Sequence, residues 1–211
     1  MTDQIPMTSI QEAYWVGRRY DTPMGGVSTH TFEEINATGM DLERLEVSWN
    51  AIVHRHDMLR ARVNNAGYIE IFPEVPWYRF AVDDLRGLPS IEQEIHLEAV
   101  RNRMREEVIA SDTWPIFRVR AAKLDGDQLR IFTSMDALTL DARSRGLLYQ
   151  EWRQLYENPD TDLPEIKASF AEFAKEVAKI PESDAYEVAR AYWAKQLETM
   201  PGGPRLHAAR P

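Results

Sequence analysis

The sequence predicts a two-layer α/β sandwich built around a mixed β-sheet. Segments with helical spacing of apolar residues alternate with segments rich in β-branched and aromatic residues. Two pairs of the strand-like segments are joined by short turns of Asn, Asp and Gly. No glycine-rich phosphate loop is present, which argues against a doubly wound dinucleotide fold.

The first half of the chain is predicted to hold two helices and four strands. Thr8 or Ser9 can cap the first helix and Asp41 the second, over about 9–18 and 42–56. The Asn64-Asn65-Ala66-Gly67 turn joins two strands, because Asn and Gly tolerate positive φ. The other segments are a loop over residues 21–26, strands over 28–37, 59–63, 68–72 and 77–82, and a connection over 73–76.

The second half is predicted to hold a hairpin and four helices. The hairpin strands, over residues 116–124 and 128–135, are joined by an Asp125-Gly126-Asp127 turn, and the second strand runs directly into Asp136. The helices are expected over about 91–109, 140–156, 167–178 and 184–200, with a polar linker over 159–164 and a Pro/Gly-rich tail over 201–211.

The composition limits the functions open to the chain. Its 25 Lys and Arg against 34 Asp and Glu give a net charge of −9, so no basic excess is available to neutralise nucleic-acid phosphates. Cysteine is absent, which excludes disulfides, a Cys-based zinc site and a cysteine nucleophile. The N-terminus lacks a signal-peptide pattern, and no apolar run approaches the roughly 18 residues that cross a bilayer. We therefore expect a cytoplasmic protein that binds neither nucleic acid nor membrane.

The segment from Arg130 to Ser144 carries the strongest chemical signal. Asp136 and Asp141 bracket a mostly apolar loop between a predicted strand and a predicted helix, a kind of junction that often carries functional groups. Asp141 is also placed to cap the helix, with Ser144 three residues on as its partner. Asp136 is either solvated at the sheet edge or held in a polar pocket. The residue pattern alone leaves these alternatives open.

Four segments resemble the core motifs of heterocyclization domains, the ring-forming variant of the condensation domains of non-ribosomal peptide synthetases. They are residues 6–18 (PMTSIQEAYWVGR), residues 49–61 (WNAIVHRHDMLRA), Trp114-Pro115-Ile116-Phe117, and the DxxxxD element from Asp136 to Asp141. In this family DxxxxD replaces the HHxxxDG of ordinary condensation domains. The four segments occur in order and cover most of the chain, so the resemblance identifies an N-terminal lobe of such a domain.

The resemblance implies a chloramphenicol-acetyltransferase-like lobe, one of two that form a V with the active-site tunnel between them. The implied activity joins a carrier-bound acyl group to a Cys, Ser or Thr carrier thioester and cyclodehydrates the product to a thiazoline or oxazoline. The expected partners are peptidyl or aryl carrier proteins with phosphopantetheine-tethered substrates, and the missing C-terminal lobe in cis or in trans. No cofactor and no metal are expected.

The resemblance also assigns roles to residues. Asp136 and Asp141 are the candidate catalytic residues, but their stretch offers no histidine base, so at most one is expected to act directly. Asp141 is expected to pair with Arg60 of the second motif and to brace the loop. Asp136 is expected either to line the tunnel or to act as a brace. Ser144 supports the site as a residue of the helix cap.

Other polar and aromatic residues are expected to be structural. His54 and His56 lie at a predicted helix end, where a cation is favoured, so a surface or capping role is expected. The following aromatic residues are expected in the core: Tyr14, Trp15, Trp49, Trp152, Tyr156 and Trp193.

Residues 1–200 are expected to form the lobe, and residues 201–211 a linker between lobes or a tail. The isolated lobe is expected to be inactive without its C-terminal partner. Two alternatives stay open. The chain could be a non-catalytic module that holds a carrier protein or a partner subunit, or a small free-standing acyltransferase, which the lack of a motif histidine disfavours.

Overall fold

The computed structural model describes residues 4–19 and 25–203, and these residues form two β-sheets and six α-helices. The strands are β1 (Ile5–Pro6), β2 (His30–Thr38), β3 (Ala61–Val63), β4 (Tyr68–Ile71), β5 (Ala81–Asp84), β6 (Phe117–Leu124) and β7 (Gln128–Asp136). The helices are α1 (Ser9–Gly17), α2 (Leu42–Arg55), α3 (Ser90–Glu106), α4 (Ala142–Glu157), α5 (Phe170–Ala178) and α6 (Asp184–Leu197). Two 3-10 turns cover Asp57–Arg60 and Ile180–Glu182.

The larger sheet is mixed, with strand order β2-β7-β6-β5. β7 pairs antiparallel with β2 and β6, whereas β5 pairs parallel with β6. Gly126 and Asp127 adopt positive φ, of 66° and 62°, in the turn that joins β6 to β7. Because β7 is central, every residue from 131 to 136 is buried. The predicted α/β fold with a mixed sheet is confirmed.

Helices α2 and α4 cover one face of the larger sheet. The rings of Trp49 and Trp152 meet there with centroids 4.9 Å apart, and Phe117 packs edge-on against Trp49 at 5.3 Å. The helical spacing of Leu45, Trp49 and Ile52 points these side chains of α2 to the sheet. Burying each large apolar side chain contributes about 1.5–3 kcal/mol, so this cluster holds the helices on the sheet.

Helix α3 lies on the opposite face of the same sheet. Leu97, Val100 and Met104 recur at helical spacing and are buried with Ala122 and Phe132 of β6 and β7. The helix ends at Glu106, earlier than predicted, although Ile109 is still buried. The larger sheet is therefore covered by helices on both faces, so α3 adds a layer to the predicted two-layer sandwich.

The smaller sheet supports the loop that follows β7. It has strand order β1-β4-β3 with antiparallel pairing throughout. Its buried Ile5, Val63 and Ile69 form a cluster with Leu138 of the loop and Ala174 of α5. The loop between Asp136 and Asp141 is thus packed between this sheet and α5.

The predicted strand over residues 77–82 is wrong in its first part. Residues 77–80 run alongside α2, because the Asn50 side chain accepts the Tyr78 N–H at 2.8 Å and donates to the Tyr78 carbonyl at 2.9 Å. Glu46 accepts the N–H of Phe80 at 2.8 Å. These side-chain hydrogen bonds replace the backbone hydrogen bonds that residues 77–80 would otherwise make with β6. Only residues 81–84 therefore join the sheet.

Other predicted elements shift by a few residues. The predicted strand over residues 59–63 begins as the 3-10 turn Asp57–Arg60 and is extended only over residues 61–63. The predicted helix over 167–178 begins at Phe170, since Ser169 and Glu172 form a capping box. The predicted helix over 140–156 begins after Asp141, which caps it.

One predicted core residue is wrong. The side chain of Trp193 is 56% exposed, and α6 buries no residue within the described part of the chain. Trp49 and Trp152 are buried, and Tyr14, Trp15 and Tyr156 are partly buried. Residues 21–24 of the predicted loop and 204–211 of the predicted tail lie outside the described residues.

Candidate functional site

Asp136 ends β7 in the interior of the lobe, where its side chain is 0% exposed. Its Oδ1 accepts the backbone N–H of Leu138 at 3.0 Å, and its Oδ2 accepts a hydrogen bond from the guanidinium of Arg18. Both carboxylate oxygens therefore have donors inside the protein. This geometry is that of a residue that holds the loop in place.

Arg18 directly follows α1 and joins three segments of the chain. Its Nη2 pairs with Asp136, its Nη1 donates to the carbonyl of Ile109, and its side chain is 6% exposed. Burial lowers the pKa of Arg18 to about 10, which still leaves the guanidinium charged at neutral pH. Sequence reasoning missed this partner, although Arg18 closes the first motif.

The loop between the two aspartates is fixed by the backbone and by α1. The N–H groups of Thr139 and Leu140 both donate to the carbonyl of Asp136 at 3.0 Å, and that of Ala137 donates to the Thr29 carbonyl at 2.9 Å. The buried amide of Gln11 donates to the Leu138 carbonyl at 2.7 Å. The loop is therefore held on both sides, by Thr29 directly before β2 and by the first motif.

Asp141 lies at the other end of the loop and is exposed. Its Oδ1 accepts the N–H of Ser144 at 2.7 Å, as the helix-cap interpretation predicts. Hydrogen bonds from the backbone and hydroxyl of Ser144 hold the pKa of Asp141 below its usual range. Asp141 is thus a solvent-facing carboxylate that is ionised at neutral pH.

The predicted pair between Arg60 and Asp141 is wrong. Arg60 is buried and donates to Asp57 at 2.6 Å and to the carbonyls of Phe72 and Pro73. No ion pair joins it to Asp141 in the described residues. The 3-10 turn directs the Arg60 side chain towards residues 72–73, so it braces the smaller sheet. The arginine that pairs with the DxxxxD element is Arg18, through Asp136.

The second motif forms a polar cluster with α4. Glu151 is buried and accepts from Arg55 Nε at 3.0 Å and from His56 Nε2 at 2.7 Å. His54 is exposed, as the surface role predicts, whereas His56 is bound to Glu151. Sequence reasoning missed Glu151, although an acidic residue within the apolar stripe of Leu148, Trp152 and Leu155 was an available signal.

A histidine from another strand lies beside the motif. His30 is directly opposite Asp136 in the pairing of β2 with β7, and it is partly exposed. Its Nδ1 is hydrogen-bonded to Ser28 Oγ at 2.9 Å. Facing residues of antiparallel strands share one side of the sheet, so this imidazole lies on the same side as Asp136. No spacing along the sequence relates these two residues.

The family model of the condensation domain matches residues 1–204. The chain belongs to the condensation-domain family. It is 33% identical over 204 residues to pyochelin synthetase PchF of Pseudomonas aeruginosa, covering 96% of this chain and 11% of that protein. It is 30% identical over 212 residues to phenyloxazoline synthase MbtB of Mycolicibacterium paratuberculosis, covering 97% of this chain and 18% of that protein.

The fold of this condensation-family chain matches a solved structure of the EpoB NRPS cyclization-docking bidomain from Sorangium cellulosum. The TM-score is 0.89 at 30% identity, and the match covers 96% of this chain and 40% of that chain. The heterocyclization resemblance drawn from the four motifs is confirmed, as is the expected chloramphenicol-acetyltransferase-like lobe. The chain spans only a small part of the curated relatives that it matches.

Two further properties of the described residues bear on function. Within residues 4–19 and 25–203, no helix is long and apolar enough to cross a lipid bilayer. In the same ranges, no three His, Asp or Glu side chains are grouped so that they could hold a metal ion.

Proposed function

We propose that the chain, over residues 1–200, is the N-terminal lobe of a heterocyclization domain that makes thiazoline or oxazoline rings, with residues 201–211 as the linker to a second lobe. The substrates are an acyl group and a Cys, Ser or Thr residue, each bound as a thioester to a carrier protein. The lobe acts together with a C-terminal lobe, in cis or in trans. The proposed setting is the cytoplasm, which the cysteine-free sequence permits.

The observation that carries this proposal is the buried contact between two of the family motifs. Arg18 closes the first motif and Asp136 opens the DxxxxD element, and the two form an ion pair in the interior. Gln11 of the first motif also bonds the loop at Leu138. The motifs therefore act as one structural unit, which supports a shared role in placing the loop.

The proposed reaction has two stages. The amine of the acceptor attacks the acyl thioester carbonyl, so a C–N bond forms, the C–S bond breaks and the carrier thiol leaves. The acceptor side-chain sulfur or oxygen then attacks the new amide carbonyl, and loss of one water gives the C=N bond of the ring. Both stages need positioned reactants and proton transfer.

Within this proposal the two aspartates have different roles. Asp136 is a positioning residue, because both of its oxygens are bound inside the lobe. Asp141 is the candidate for direct proton transfer, since its carboxylate is exposed to solvent and is ionised at neutral pH. Arg60 and Ser144 support the site from the second motif and from the helix cap.

The exposed side of α6 supports a requirement for further protein. Val188, Tyr192, Trp193 and Leu197 are each more than half exposed, and α6 buries no residue in the described part of the chain. Apolar groups of this size at one surface are typical of an interface. The proposed occupant is the rest of the domain.

The test is reconstitution with carrier-bound substrates, followed by mass spectrometry, in which the cyclised product is one water lighter than the linear one. The chain alone is expected to give neither product, and the chain with its C-terminal lobe is expected to give the ring. Ring formation by the chain alone would overturn the need for a second lobe. Carrier binding without turnover in the completed domain would favour the alternative of a non-catalytic interaction module.

A variant separates the roles of Asp141. Asp141→Asn keeps a side chain that caps a helix well but removes the basic carboxylate. If Asp141 transfers protons, this variant folds normally in the completed domain and loses ring formation. Asp41→Asn makes the same change at the exposed cap of α2, outside the four motifs, so it is the matched control and is expected to stay active.

A further inference from the structure

A cavity of about 470 Å³ opens beside β6, where residues 77–80 leave the sheet to follow α2. A strand would otherwise continue along this edge of β6. In place of a neighbouring strand, the hydroxyl of Tyr78 accepts a hydrogen bond from the N–H of Val119 at 2.9 Å. Val119 and Met104 are also among the residues around the cavity, and both are almost fully buried. The volume lies within the range of about 300–1,000 Å³ found for small-molecule sites.

The walls of this cavity are rich in arginine although the chain is acidic overall. Four arginines line it, namely Arg79, Arg103, Arg118 and Arg120, against the single carboxylate of Glu107. The whole chain carries a net charge of −9, so the cavity is a local exception. A concave surface with one sign of charge and apolar walls concentrates ions of the opposite sign.

The arginines differ in how far they are already neutralised. Arg118 donates to Glu107 at 2.8 Å, Arg120 to Asp83 at 3.0 Å, and Arg79 to Glu46 at 3.1 Å with its own side chain 82% exposed. Arg103 is exposed and forms no ion pair with any carboxylate in the described residues. Arg103 and the exposed guanidinium of Arg79 are therefore available to a ligand at the mouth of the cavity.

We propose that this cavity binds a phosphate group. The planar guanidinium matches the oxygens of a phosphate in paired hydrogen bonds, and several arginines around one cavity can share its charge. The cavity lies on the same sheet as the motif, since Arg118 pairs in register with Ser134, two residues before Asp136. The phosphate site rests on the cavity alone, whereas the phosphopantetheine arm of a carrier protein as a source of the phosphate rests on the proposed function.

Two sources can supply this chemistry, a free phosphate compound or the phosphopantetheine arm of a carrier protein. The test is calorimetric titration of the chain at low ionic strength with three probes: inorganic phosphate, pantetheine 4′-phosphate and pantetheine. A saturable 1:1 signal is expected with the phosphorylated probes and none with pantetheine. Comparable affinity for both phosphorylated probes identifies free phosphate as the source, and tighter binding of pantetheine 4′-phosphate identifies the arm.

Matched variants on one helix show whether the cavity is responsible. Arg103→Ala removes the arginine without an acidic partner, and its exposure makes the variant safe for folding. Arg105→Ala, two residues on in α3, removes the same charge outside the cavity, where the guanidinium lies over the ring of Phe32 at 5.1 Å. Arg103→Ala is expected to weaken phosphate binding about tenfold, equal to about 1.4 kcal/mol, and Arg105→Ala less than about twofold.

Three results would overturn the proposal. The first is the absence of saturable binding at about 10 mM of either phosphorylated probe, well above a Kd of about 1 mM. The second is an equal loss in the two variants, which would indicate non-specific attraction. The third is equal affinity for the dicarboxylate glutarate, which would make the cavity a general anion site. Circular dichroism of both variants confirms that each loss is measured on a folded chain.

Discussion

Removing Arg18 tests the buried pair that places the motif loop. In Arg18→Ala the Asp136 carboxylate, which is 0% exposed, keeps only the hydrogen bond from the Leu138 N–H. Leaving one member of a buried ion pair without its partner typically costs about 3–5 kcal/mol. Both side chains are almost fully excluded from solvent, so we expect a loss in that range. For a chain of this size the melting temperature would fall by roughly 6–20 °C.

Urea unfolding followed by circular dichroism measures this loss. Arg153→Ala is the control, because Arg153 is 77% exposed and pairs with Glu157 across one helical turn, so its removal is expected to change the unfolding free energy by less than about 0.5 kcal/mol. The double variant Arg18→Met with Asp136→Leu is expected to recover part of the stability, since an apolar pair needs no charge compensation but removes the partners of the Ile109 carbonyl and the Leu138 N–H. A loss below about 1 kcal/mol in Arg18→Ala, with an unchanged slope against urea, would refute the reasoning.

Three further predictions follow from other contacts. Asp141→Ala removes the cap of α4 and is expected to lower the unfolding free energy by about 1 kcal/mol at neutral pH. Because the folded-state pKa of Asp141 is lowered, the stability that this carboxylate contributes is lost as the pH falls through that pKa. The urea midpoints of the variant and the parent should therefore converge in acid. Hydrogen bonds from Arg101 and Arg130 lower the pKa of Glu34 to about 2 from 4.5. The stability that ionised Glu34 contributes to the fold is therefore complete above pH 4.5 and is lost as the pH falls towards 2. Glu34→Gln should show a flatter acid-unfolding curve. Trp193→Ala should leave the stability of the chain within about 0.5 kcal/mol but weaken its binding to the C-terminal lobe in a pull-down or titration; a marked loss of stability would contradict the exposed position of Trp193.

Local patterns predicted most of the fold because the forces that they report are local. The Asp125-Gly126-Asp127 turn needs positive φ, and the helix over 42–55 repeats its apolar residues on one side. Both features can be read from a short stretch of sequence. The segment over 77–80 could not be predicted in this way, because its backbone is bound by Glu46 and Asn50, which lie about 30 residues earlier.

The same limit separates the two ends of the DxxxxD element. Asp141 and Ser144 are three residues apart, so the capping contact could be predicted from spacing alone. Asp136 and Arg18 are separated by 118 positions, and nothing in their local sequence relates them. The family resemblance supplied an arginine partner for the motif but assigned Arg60, whose contacts lie within 13 positions, to the wrong carboxylate. Predictions of core residues have the same limit. The helical spacing of Trp193 predicts an apolar contact but does not tell whether the contacting surface belongs to the same lobe.

The buried pair explains how the DxxxxD loop is placed without a histidine. An ion pair in the interior gives little net stability compared with apolar side chains of similar size, so its value lies in the specific contacts it requires. Arg18 must satisfy the Ile109 carbonyl and Asp136 together, which ties the end of α1, the chain after α3 and the end of β7 to one arrangement. The loop then leaves β7 at a fixed point, and after five residues it presents Asp141 to solvent at the start of α4. In this arrangement the first aspartate determines where the second lies, so a change at Asp136 should displace Asp141 even though the two carboxylates make no direct contact.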